Sequence, residues 1–336
     1  MINLQNEFLT FHDSIKLDDE NATLRSKRDI LLNKLAKNIS EEAASYTHFN
    51  QGSYAMGTGI KPEKGDYDID VGLKFNIDKA DYDDPIDVKK WVKDALDVHT
   101  KSVKIRRSCV TVTYQEDGED AYHVDFAVYA NNNEDGELYI AKGKENSLPE
   151  NKYWEISCPQ ELISEINGKY EDADDRAQFK RVIRYLKKWK SNKFLVSGNL
   201  APTGIALTIL AYKFFQVSKK YDPYAEKYVY DDFSALKTLI NKIKWEFQPT
   251  YDVDDDVIYY TIKTGLIVKP YNNLFEKMTN KQMDDFYNKV VECEELLEEV
   301  VTEGRRDKAC EILRKIWGDD FPITYDRSMV GTSESA

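Results

Sequence analysis

Cysteine and long apolar runs are in short supply in this chain, and positive charge is outnumbered by negative. Its four cysteines, Cys109, Cys158, Cys293 and Cys310, are scattered without paired spacing, which argues against a zinc cluster and a disulfide framework. Free thiols in a reducing cytoplasm are expected. No apolar run approaches the length of a membrane span, and the N-terminal residues Met-Ile-Asn-Leu-Gln-Asn carry neither a basic stretch nor an apolar core. The expectation is a cytoplasmic protein without membrane contact. Lysine and arginine number 47 against 60 acidic residues, a net charge of −13, so the surface as a whole is not built for nucleic acid. A local basic groove remains compatible with that balance. No internal repeat is apparent. What the chain does have is length: 336 residues, 41% of them apolar, suffice for two lobes with a substantial core.

The most informative stretch is 51–75, QGSYAMGTGIKPEKGDYDIDVGLKF. In its second half Tyr67, Ile69, Val71, Leu73 and Phe75 alternate with Asp68, Asp70, Gly72 and Lys74, the period of a strand. Asp68 and Asp70 then share one face. Two carboxylates so close repel, and the arrangement becomes tolerable when divalent cations sit between them. A solvated acidic loop is the common reading of Asp-rich runs, but five alternating large apolar residues argue against it. A calcium loop starting at Asp66 needs Gly at its sixth position and a carboxylate at its twelfth; Val71 and Ile77 stand there. Upstream, Gly52-Ser53 follows the β-like run 46–51 and opens a Gly-rich turn whose N–H groups and hydroxyl suit a phosphate.

A two-metal site wants a third carboxylate from a neighbouring strand. In Tyr122-His-Val-Asp-Phe-Ala-Val-Tyr129, Val124, Phe126 and Val128 alternate with His123, Asp125, Ala127 and Tyr129. Asp125 in an otherwise apolar strand is costly to bury alone. It is either an exposed residue on a half-solvated sheet face or the partner of Asp68 and Asp70.

This order of features, Gly-Ser, then Asp-x-Asp on a strand, then a lone Asp on a later strand, resembles the DNA polymerase β-like nucleotidyltransferases. Within them, the QGSYAMGT, DYDIDVGLKF and HVDFAVY segments are similar to the bacterial cGAS/DncV-like nucleotidyltransferases (CD-NTases). The resemblance implies an α+β fold: a palm of mixed sheet flanked by helices, plus a C-terminal helical lobe, with the active site in the cleft of a bilobal molecule. It implies Asp68, Asp70 and Asp125 as catalytic ligands of two Mg²⁺ ions, with Mn²⁺ a substitute. Gln51, Gly52 and Ser53 become nucleotide-binding residues. The implied activity is synthesis of a cyclic di- or trinucleotide second messenger from NTPs, ATP or GTP foremost, for antiphage (CBASS) signalling through a downstream effector. Alternatives are transfer of nucleotides to RNA, a protein or a small molecule, and a non-catalytic nucleotide- or RNA-binding module.

The rest of the chain fits that outline. Residues 3–39 read as two helices, which the resemblance casts as bracing both lobes (1–40). The palm (41–150) includes a helix from Pro85, strands near 102–106 and 109–114, and a hairpin turn at Asp117-Gly118. The sheet is expected to end near Ile140, with 143–151 crossing to the helical lobe (151–325). Residues 174–193 form a basic helix, either a solvated face or a phosphate seat. A buried helix is expected from Pro202, its free N–H groups and the Thr203 hydroxyl offering an anion site. Similarity to the triphosphate-binding helices of oligoadenylate synthetase relatives assigns phosphate contacts to Lys187 and Thr203. One departure is Gly204, where several relatives stack an aromatic residue on the donor base; that role passes to another residue, for example Tyr54. The basic run 101–107, with the 180–193 helix, reads as like-signed residues on solvated elements or as a surface for an activating RNA. A flexible tail (326–336) is expected, and relatives can be modified at such a C-terminus by a partner enzyme.

Overall fold

The computed structural model describes residues 2–17, 20–62, 67–97, 102–116, 119–194, 201–254 and 256–325. The Asp117-Gly118 turn, Lys101 and the tail 326–336 lie outside these residues. The chain divides into two compact units. One is Lys16–Glu171 with Leu266–Asn272, here the sheet unit; the other is Met1–Ile15 with Asp172–Gly265 and Asn273–Ala336, the helical unit.

Helix α1 (Gln5–Ile15) belongs to the helical unit. The sheet unit follows with α2 (Glu20–Asn38), β1 (Tyr46–Gln51), the single turn α3 (Gly52–Ala55) and β2 (Tyr67–Phe75). It continues through α4 (Pro85–Asp97), β3 (Val103–Ile105), β4 (Val110–Glu116), β5 (Glu119–Ala130), β6 (Tyr139–Lys142), β7 (Tyr153–Ile156) and α5 (Pro159–Gly168). The strands form one mixed sheet in the order β1-β2-β5-β4-β3, with β6 joined to the end of β5 and β7 to β6. β2 and β5 run parallel at its centre, and every other pairing is antiparallel. This is the α+β architecture expected, a mixed sheet flanked by helices.

Alternation decides the two faces of the sheet. Ile69, Val71, Leu73 and Phe75 of β2 are fully buried, as are Val124, Phe126 and Val128 of β5. Leu24, Leu31 and Leu35 of α2 and Ile86, Val92 and Leu96 of α4 join the same core. Burying each such side chain contributes about 1.5–3 kcal/mol. The opposite face is left to Asp68, Asp70 and Asp125. Beneath the β3–β4 turn the fully buried Lys89 donates to the carbonyls of Arg106 (3.0 Å), Arg107 (2.9 Å) and Gly143 (3.0 Å), tying α4 to two loops.

The sheet does not end near Ile140. β7 pairs with all of β6, and Trp154 donates its indole N–H to the Tyr82 carbonyl at 2.8 Å while packing on the core. Residues 143–151 therefore connect two strands of one unit instead of crossing to another. The division falls between Glu171 and Asp172, not after residue 150.

The helical unit comprises α1, α6 (Ala173–Lys193), α7 (Gly204–Phe214), α8 (Asp232–Trp245), α9 (Asn280–Thr302) and α10 (Arg306–Trp317). It also holds two hairpins, β8 (Lys219–Asp222) with β9 (Lys227–Tyr230) and β10 (Gln248–Asp252) with β11 (Val257–Thr261), which the helical reading of this region passed over. Their sequences alternate too briefly to stand out. Phe8 and Phe11 of α1 pack among Tyr185, Trp317 and Phe321. The buried carboxylate of Asp232 accepts a two-pronged bond from Arg181 (2.6 and 2.8 Å) and one from the Tyr185 hydroxyl (2.9 Å). Complete pairing of this kind makes a buried charge tolerable. Among the described residues no helix is long and apolar enough to cross a membrane.

Candidate active site

The register of the two central strands builds the site. In β2 and β5 Asp70 stands directly opposite Asp125, and Asp68 opposite His123. One carboxylate oxygen from each of Asp68, Asp70 and Asp125 lies within 4.8 Å of the others. Asp68 is exposed and the other two half-buried. Three carboxylates at this separation repel strongly unless cations neutralise them. The Oδ1 atom of Asp125 is buried and has no hydrogen-bond partner, a costly state for a carboxylate oxygen. An all-oxygen donor set with an unsatisfied oxygen suits a hard divalent cation such as Mg²⁺. The residues present fit the expected metal.

Asp70 also fixes the residue beside it. Gly52 has φ +66°, and a Cβ there would lie 1.8 Å from Asp70 Oδ2. Any other residue would displace the carboxylate, so the glycine is required both by conformation and by space. The turn α3 begins at Gly52, and the leading N–H groups of a helical turn lack intrahelical acceptors. Its backbone is braced by Thr58 N–H donating to the Ser53 carbonyl at 2.9 Å. Gln51, opposite Asp70 in β1, accepts a 2.9 Å hydrogen bond at Oε1 from the Tyr129 hydroxyl. Burial pushes the Tyr129 phenol upward, so it remains a donor at neutral pH. With its oxygen engaged, the Gln51 carboxamide is held in one orientation, its NH₂ left to donate.

On the far side of Asp125, the Cys109 thiol lies 3.5 Å from Thr111 Oγ1. Burial first, and the Asp125 charge second, push this thiol up to about 12, so no thiolate competes for the metal. Thr111 is directly opposite Asp125 in β4 and is buried.

Lys187 and Thr203 belong to the helical unit and are neighbours there. The stem of the buried Lys187 passes Gly204, whose Cβ, were there one, would lie 3.7 Å from Lys187 Cε. The helix α7 starts at Gly204 and not at Pro202, because Thr203 is its N-cap: the side-chain oxygen accepts from Ala206 N–H at 3.2 Å. That oxygen is therefore engaged, while the hydroxyl hydrogen can still be donated. Tyr54, the suggested stacking residue, is half-buried and packs against the sheet's core. Sequence reasoning set Tyr129 on the Asp125 face but missed its bond to Gln51, and it missed Lys89 and Thr111. Each takes its meaning from a long-range register or contact.

Residues 47–129 match the family model of the cyclic GMP-AMP synthase DncV-like nucleotidyltransferase domain. A cyclic GMP-AMP synthase of Escherichia albertii is 28% identical over 189 residues, 55% of this chain, and the match spans 41% of that relative's length. Among solved structures, apo Vibrio cholerae DncV superposes with TM-score 0.68 at 14% identity, covering 95% of this chain and 96% of its own. E. coli MS115-1 CdnC, solved in a CdnC:HORMA-deltaN complex, gives 0.67 at 15%, covering 96% and 98%. Bradyrhizobium diazoefficiens CdnG in complex with GTP gives 0.66 at 12%, covering 94% and 96%.

Proposed function

We propose that this chain, which carries a DncV-like nucleotidyltransferase domain over residues 47–129, is a cyclic oligonucleotide synthase that joins NTPs with release of pyrophosphate. The cyclic di- or trinucleotide would serve as a second messenger in antiphage (CBASS) defence. The observation that carries the reading is the register of Asp70 against Asp125, with the buried, partnerless oxygen of Asp125 completing a three-carboxylate cluster.

Asp68, Asp70 and Asp125 would hold two Mg²⁺ ions, or Mn²⁺. When bound these supply neutralisation of the donor phosphates and a lowered pKa for the acceptor hydroxyl. The first-turn N–H groups at Gly52-Ser53 and the Ser53 hydroxyl bind the donor's β- and γ-phosphates. Gln51, oriented by Tyr129, donates beside them. Lys187 and the N-terminus of α7 with Thr203 form a second seat for phosphate oxygens. The acceptor hydroxyl oxygen bonds to the donor's α-phosphorus, and the bond to the bridging oxygen of the leaving pyrophosphate breaks. Asp125 takes up the acceptor's proton. Repetition on the linear product closes the ring. Positioning and charge stabilisation supply most of the rate.

The test is incubation of the purified protein with all four NTPs and Mg²⁺ or Mn²⁺, then phosphatase treatment and mass spectrometry. A phosphatase-resistant cyclic product is expected. Nucleotides found only on added RNA or on protein would replace this reading with that of a transferase to a macromolecule.

A further inference from the structure

A second row of side chains crosses the sheet beside the carboxylates. Asp68 of β2 stands directly opposite His123 of β5, and His123 opposite Thr113 of β4. Each lies two residues from Asp70, Asp125 or Thr111, so the two rows share a face. His123 and Thr113 are half-buried there. The Thr113 hydroxyl lies 3.1 Å from His123 Nδ1. Because β5 runs between β2 and β4, this contact sets Nδ1 on the β4 side of the ring. The two nitrogens of an imidazole point to nearly opposite sides, so Nε2 is turned toward β2, where Asp68 stands. Neighbouring strands are about 4.8 Å apart, a gap that an imidazole and a carboxylate at facing positions close.

These neighbours select a tautomer. With Nδ1 protonated, Nε2 would turn a lone pair toward the Asp68 carboxylate. With Nε2 protonated, that N–H donates to the carboxylate and the Thr113 hydroxyl donates to Nδ1. The second arrangement satisfies every group, and it wins. Asp68 is also the carboxylate most in need of a fixed partner. Asp70 abuts Gly52 and Asp125 is half-buried, whereas Asp68 is exposed and has the most room to turn away. A hydrogen bond from behind holds a metal-ligating group in the orientation that the cation requires.

We propose that His123, its tautomer set by Thr113, is a positioning residue whose Nε2–H aims the Asp68 carboxylate into the three-carboxylate cluster. This rests on the metal-binding reading above and adds what orients its most exposed ligand.

The experiment titrates the purified protein with Mn²⁺ in the absence of nucleotide and follows free Mn²⁺ by electron paramagnetic resonance. Two variants separate positioning from packing. Glutamine places its carboxamide nitrogen near where histidine has Nε2; asparagine places it near Nδ1. In His123→Asn the Mn²⁺ dissociation constant is expected to rise about tenfold or more, the usual cost of losing such a partner. His123→Gln is expected to stay close to the wild type. Equal affinities in the two variants, or an unchanged affinity in His123→Asn, overturn the proposal and leave His123 as a partner of Thr113 alone. Nitrogen NMR of the imidazole in the Mg²⁺-saturated wild type is expected to show Nε2 protonated and Nδ1 bare. A proton on Nδ1 overturns the proposal as well. A wild type that binds Mn²⁺ no better than Asp68→Asn/Asp70→Asn overturns this proposal and the metal-binding reading together.

Discussion

At the scale of single residues, the site trades stability for function. Asp68, Asp70 and Asp125 lie within 4.8 Å of one another, and without cations their repulsion opposes folding. Asp70→Asn removes one charge while keeping the side chain's size, so it fits the space beside Gly52. The expected outcome is a loss of turnover by orders of magnitude. In EDTA the same variant should melt higher than the wild type, by about 2–4 °C for roughly 1 kcal/mol of repulsion relieved. Product formation and thermal melts on the same samples check both. A variant that is inactive and also less stable in EDTA would mean that Asp70 is a structural residue. Asp68 and Asp70 were legible from alternation alone, because strand period fixes which residues share a face. The face that Tyr129 shares with Asp125 was legible in the same way, but its role was not: nothing in the sequence places its hydroxyl against Gln51, 78 residues away.

At the scale of elements, the same limit governs the sheet. The strands around Asp70 and Asp125 could be read because each alternates over many residues. Their parallel pairing, and hence the meeting of the two carboxylates, is a matter of register that no local pattern carries. β7 was missed because Tyr153–Ile156 is short and half-buried throughout, without clean alternation. Lys89 shows the reverse problem: a lysine on an amphipathic helix reads as solvated, yet this one is sealed under the β3–β4 turn. Burial, with Lys142 nearby adding to it and Cys109 opposing, pulls Lys89 down to about 7. An ordinary lysine titrates near 10.4, so between about pH 7 and pH 10 the unfolded chain binds the proton that the folded one lacks. Stability contributed at this position should therefore rise with pH across that window, by up to about 1.4 kcal/mol per unit. Urea unfolding of wild type and Lys89→Met at pH 7 and pH 9 measures it as a difference between the two proteins. A difference that stays flat would show that the three carbonyls keep the ammonium charged throughout.

At the scale of the whole molecule, the carboxylates and the residues proposed as a second phosphate seat are members of different units. Asp68, Asp70, Asp125 and the Gly52 turn all belong to the sheet unit, whereas Lys187 and Thr203 belong to the helical one. Each unit has a core of its own, the sheet with α2 and α4 in one and the aromatic cluster around Phe8, Tyr185 and Trp317 in the other. A cation held by the three carboxylates binds the folded sheet unit and stabilises that unit directly. At a hundredfold excess over its dissociation constant it adds about 2.7 kcal/mol. Scanning calorimetry over a Mg²⁺ titration should therefore resolve two transitions, of which one moves upward and the other stays. In Asp68→Asn/Asp70→Asn neither should move. A single transition shifting as a whole would mean that the two cores melt together, and Mg²⁺ would then stabilise both. No shift in the wild type, at concentrations that support turnover, would place the metal on the nucleotide and not on the carboxylates.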